Sequence, residues 1–136
     1  MAFERYLRRK GFFTKPLVSI WKTGLISIND SAHRQLGLEK MTHAVLFYDR
    51  DNKKIGLRFV DSSKEEGAIR LGKRKGSTYI YARGFLGYYG VDLSKALRFT
   101  PVHDEKHNIF VLVDLKHLFG ILVDQLNLLG SLMDLI

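Results

Sequence analysis

The apolar positions of this chain come in short runs broken by glycine and polar residues. Leu17-Val18-Ser19-Ile20-Trp21 and Leu25-Ile26-Ser27-Ile28 read as two strands around Lys22-Thr23-Gly24, a turn signal. Asn29 and Asp30 suit a helix N-cap, Ala32, Gln35 and Leu36 follow at helical spacing, and Gly37 suits the helix end. The spacing predicts a short helix over residues 29–37. Ala44 to Tyr48 is an apolar strand, residues 49–54 are a hairpin turn, and Ile55 to Val60 alternates with period two as the partner strand. Residues 61–66 are a polar connector.

The same order then recurs. Thr78 to Tyr81 reads as a strand, and residues 82–89 as a short helix with Phe85 and Tyr89 on one side, ended by Gly90. Leu97 to Thr100 is a strand, residues 101–107 a turn, and Asn108 to Val113 its partner. Ile28–Leu38 aligns with Tyr81–Val91, with Ala32 over Phe85, Leu36 over Tyr89 and Gly37 over Gly90. The fold class expected is β-rich α+β. Two tandem strand–short helix–β-hairpin units, about residues 17–60 and 77–114, form a compact barrel.

Residues 115–136 follow a different period. Leu115, Leu118, Leu122, Leu129, Leu132 and Ile136 form a stripe that Phe119, Leu126 and Met133 widen, the pattern of an amphipathic helix. Such a helix either packs on its own sheet or makes a homo-oligomer. Asp124, Gln125 and Asn127 in its middle argue against a membrane span.

Composition narrows the setting. Hydrophobic residues at 46 % and charged residues at 26 % of 136 positions describe one folded domain rather than a disordered chain. The absence of cysteine rules out disulfides and thiolate zinc sites in this chain and suits the cytoplasm. Residues 1–15 hold several arginines and lysines before any long apolar run, so no signal peptide is expected.

Charge changes the picture most. The net charge is +8, and the excess is clustered. Residues 1–16, read as a basic N-terminal arm, hold Arg5, Arg8, Arg9, Lys10 and Lys15 against Glu4. Residues 69–83 hold Arg70, Lys73, Arg74, Lys75 and Arg83 with no acid. Clusters of this kind point to a polyanionic partner, nucleic acid and DNA before RNA. Arg8, Arg9 and Lys10 lie either on DNA or on the solvated face of an element whose aromatics Phe3, Tyr6, Phe12 and Phe13 are core. Residues 72–77 read as a glycine-bounded basic loop without the Gly-Lys-Ser/Thr order of a Walker A loop.

Catalytic patterns are missing. The histidines His33, His43, His103, His107 and His117 lack metalloprotease spacing, and no serine stands in a Gly-x-Ser-x-Gly context. No enzyme, cofactor or metal is expected.

The first unit resembles the DNA-binding half of AbrB/SpoVT-type regulators. The stretches carrying the resemblance are Gly24-Leu25-Ile26-Ser27-Ile28-Asn29, Arg34, Leu36-Gly37-Leu38, Val45 to Asp49 and Ile55-Gly56-Leu57-Arg58. Asn29 stands where that family often has proline. The resemblance implies a swapped-hairpin barrel, and two tandem copies resemble the MraZ arrangement, in which one polypeptide builds the whole barrel. It also implies that Lys22, Arg34, Lys73, Arg74, Lys75 and Arg83 face duplex DNA in a transcriptional regulator. Two alternatives stay open. One is single-strand binding, with Tyr79, Tyr81, Tyr88 and Phe85 stacking beside the basic loop. The other is an assembly or partner-binding module working through the C-terminal stripe.

Overall fold

The computed structural model describes residues 2–5 and 15–114. Arg8, Arg9, Lys10 and the stripe from Leu115 to Ile136 lie outside them. Strand β1 (Val18–Ile20) and strand β2 (Leu25–Ile28) pair antiparallel. The period-two pattern buries Val18, Ile20, Ile26 and Ile28 completely and turns Ser19 and Ser27 to the outer face. Helix α1 (Asp30–Gln35) follows. The Asn29 Oδ1 accepts from the Ala32 backbone N–H at 2.9 Å and from that of Leu17 at 3.1 Å, while its Nδ2 donates to the Lys15 carbonyl at 2.8 Å. One amide therefore caps the helix and ties down the chain entering β1, which proline at this position would not do. A 3-10 turn at Leu38–Lys40 leads into β3 (His43–Asp49) and β4 (Lys54–Val60), a long hairpin.

Residues 61–66 form the expected connector, but the basic loop expected over residues 72–77 is in part a strand. Ile69–Arg70 is β5 and Gly72–Arg74 is β6, parted only by Leu71. Only Ile69 and Leu71 mark its buried side; β5 pairs with β3, which is remote in sequence, and β6 with the next strand, β7 (Ser77–Tyr81). Helix α2 (Arg83–Tyr88), β8 (Leu97–Asp104) and β9 (Ile109–Asp114) complete the described chain.

The nine strands run in the order β5-β3-β4-β9-β8-β1-β2-β7-β6, with antiparallel neighbours. The two edge strands, β5 and β6, are halves of one continuous segment. The Leu71 N–H donates to the Thr42 carbonyl at 2.8 Å where they meet. The sheet thus curls into a nearly closed antiparallel barrel. Its interior holds Ile20, Ile26, Ile28, Leu57, Ile80 and Leu112, with Leu38 and Leu86 packed from the helical segments. Each such side chain contributes about 1.5–3 kcal/mol on burial.

Strand β8 runs through Pro101 to Asp104, past the expected end at Thr100. It pairs with β1 only at residues 97–99, so beyond them it has one neighbour and tolerates a residue without an N–H. Both long hairpins then close alike. Asp49 Oδ1 accepts from the amides of Asp51 and Asn52, and Asp104 Oδ1 from those of Lys106 and His107.

Two tests follow from this geometry. Gly24 has φ +85°, and a Cβ there would stand 2.7 Å from the Arg83 Cα, whereas at Gly76 (φ +81°) it would meet a movable Asp30 carboxylate oxygen at 2.8 Å. Gly24→Ala is expected to cost about 3 kcal/mol, the left-handed strain plus an immovable clash, and Gly76→Ala about 1 kcal/mol, compared by denaturant unfolding. The His107 side chain, bonded to Asp104 at 2.8 Å, holds that carboxyl below its ordinary value of 3.8. A depressed acid stabilises the turn above its unfolded value and loses that contribution as pH falls through the folded one. Carbon-detected titration of Asp104 is therefore expected to return toward 3.8 in His107→Ala.

Candidate nucleic-acid interface

The sheet order joins what the sequence keeps apart. Residues 15–38 and 70–90 hold Lys15, Lys22, Arg34, Arg70, Lys73, Arg74, Lys75 and Arg83, with Asp30 as the one acid. The hairpin segments 39–69 and 91–114 hold nine Lys or Arg against ten Asp or Glu. Strands β1 and β2 lie directly beside β7 and β6, so the acid-poor segments form one side of the barrel and the balanced hairpins the other.

Within that side the cations gather at the two ends of the β2–β7 pair. Antiparallel pairing places the β1–β2 turn beside the start of α2, where Gly24 meets Arg83 and the Gly24 carbonyl accepts from the Ala82 N–H at 3.0 Å. Lys22 and Arg83 therefore belong to one end. The tight turn between β6 and β7 has positive φ at both Lys75 (+41°) and Gly76 (+81°), the twist a two-residue hairpin needs. It abuts Asp30 at the start of α1, so Arg74, Lys75 and Arg34 share the other end. The ends are roughly 15 Å apart along the strands, about four base pairs of duplex rise.

The expected site residues differ in what holds them. Lys73 donates to the Leu38 carbonyl at 3.0 Å and the Glu39 carbonyl at 2.7 Å, so its ammonium serves the end of the 3-10 turn. Arg34 lies 3.5 Å from Asp30 in an exposed (i, i+4) pair, a weak bond that a phosphate can displace. Lys22, Arg74, Lys75 and Arg83 are exposed.

Between the two ends lies a surface of which only Tyr79 and Tyr81 were singled out from the sequence. The outer face carries Ser19, Ser27, Ser77, Tyr79 and Tyr81, and β8 adds Arg98 opposite Ser19. The Arg98 Nη1 donates to Ser19 Oγ at 3.0 Å, and its guanidinium lies 5.5 Å from the Trp21 ring centre. The Trp21 Nε1–H donates to Ser27 Oγ at 2.9 Å. No local signal links these residues, because strand pairing alone brings Arg98 to Ser19.

The balanced side offers less. A groove of about 410 Å³ is lined by Phe47, Lys54, Arg58, Asp104, His107 and Ile109, among others. Its arginine is already committed, with Nη1 2.7 Å from Glu65 and further bonds to the His107 and Asn108 carbonyls. Among the described residues no three of His, Asp or Glu converge on a metal-sized site, and no helix is long and apolar enough to cross a membrane. The chain matches no family model, no curated protein and no solved structure.

The division of roles is testable by heat. Lys73→Ala is expected to lower stability by about 1 kcal/mol through the two unmade bonds, while Arg74→Ala and Lys75→Ala leave the thermal midpoint unchanged.

Proposed function

We propose that this chain is a DNA-binding protein of AbrB-like swapped-hairpin design, acting as a transcriptional regulator whose acid-poor barrel side lies on duplex DNA. The observation that carries the reading is the segregation of charge: eight cations against one acid in segments 15–38 and 70–90, beside hairpins that nearly balance. Cations within reach of one backbone release counterions together, which is the main source of such affinity.

The strand pairings support the tandem design. β1 pairs with β2 on one side and with β8, from the second hairpin, on the other. The 69–74 segment pairs with β7 on one side and with β3, from the first hairpin, on the other. Each unit thus receives the other's hairpin. The central β2–β7 register maps onto itself under the same 53-residue offset that aligns Gly37 with Gly90, and both glycines have φ +67°. Under that offset Lys22 of the β1–β2 turn corresponds to Lys75 of the β6–β7 turn, so a basic turn at each end suits a run of phosphates. The reading is one of binding rather than catalysis, with backbone and groove shape recognised ahead of base edges.

Fluorescence anisotropy of duplex DNA against salt tests it. Neutralisation of about five phosphates is expected to give a log–log slope near −4 to −5. Arg74→Ala with Lys75→Ala is expected to reduce that slope by about two, and Lys53→Ala with Lys54→Ala on the opposite hairpin to leave it unchanged. A salt-independent affinity, or no binding at low salt, refutes the reading.

A further inference from the structure

Trp21 is the chain's single tryptophan, and it is 40 % exposed yet fixed in place. Its indole N–H is held by Ser27 and its ring by the Arg98 guanidinium, itself anchored on Ser19. A large ring that is half in water gains little stability from such fixing. What the fixing does is hold a flat apolar surface ready at no further entropic cost. Across the sheet, Trp21 stands opposite Leu25, whose carbonyl accepts from its N–H at 2.9 Å, and Leu25 stands opposite Tyr81. Tyr81 is 76 % exposed, and its neighbours Ile80 and Ala82 are buried, so its ring projects from the same outer face. The two positions lie two strand spacings apart across the sheet, roughly 10 Å between backbones. Lys22 follows Trp21 directly, Arg83 begins the adjoining helix, and no acid lies on these strands or turns.

We propose that Trp21 and Tyr81 stack on unpaired bases, with Arg98, Lys22 and Arg83 on the adjoining phosphates, so that the side proposed to lie on duplex DNA also engages nucleic acid in which bases are exposed. This rests on the polyanion reading above and refines it. Charge alone does not distinguish a duplex from a single strand, whereas a ring needs a free base face, which an intact duplex hides in its own stack. Heparin-like polyanions lack that face as well.

The test uses the full chain and three probes: a short oligothymidylate, a duplex of equal length, and heparin. Trp21 fluorescence reports the contact directly, without any variant. Oligothymidylate is expected to quench it and heparin to leave its intensity unchanged. Trp21→Ala is expected to weaken oligothymidylate binding about tenfold, with Trp21→Phe recovering part of the loss and heparin binding unaltered. Oligothymidylate that binds without quenching, or that binds Trp21→Ala equally well, overturns the proposal and leaves the polyanion reading standing. Duplex binding in the absence of oligothymidylate binding does the same. Failure of every probe to bind at low salt overturns both.

Discussion

The structure depends on one segment finding two partners. Ile69–Arg70 completes the sheet beside β3, and two residues later Gly72–Arg74 completes it beside β7. An open antiparallel sheet of this length would present two unpaired edges, each a template for other chains. Here the edges are consecutive stretches of the same backbone, and Leu71, nearly buried at the bend, links them across the core. Hydrogen bonding along 69–74 supplies the closure, with Ile69 and Leu71 packed on the core beneath it.

Closure has an electrostatic consequence. Once 69–74 is fixed beside β7, its cations share one side of the barrel with Lys22 of the β1–β2 turn, although some fifty residues separate them in sequence. Like charges brought together raise the energy of the fold, modestly in water and more at low salt. The structure keeps that cost low by spreading the groups to the two ends of the β2–β7 pair and by engaging Lys73 on backbone carbonyls and Arg34 with Asp30. The polar floor between the ends, made of Ser19, Ser27 and Ser77, lets Trp21 and Arg98 lie against the sheet.

The apolar alternation of the chain determined most of its local elements, because a strand with one buried face must place apolar residues at every second position, as Val18, Ile20, Ile26 and Ile28 do. Helix α1 was legible through Asn29 and Gly37, whose cap geometry is local. So were the clusters of charge and their freedom from acids. The continuation of β8 through Pro101 was not legible, since a proline's tolerance depends on whether a neighbouring strand needs its N–H. Nor was the strand in 69–74: the partner of β5 is remote, and the glycine-bounded cations of β6 carry no strand pattern. Only the tertiary structure decided which clusters share a surface, that Lys73 is spent on Leu38 and Glu39, and that Arg98 and Ser27 hold Trp21. The reason is the same in each case: these outcomes follow from which strands lie side by side, and sheet pairing is a long-range choice that no window of sequence contains.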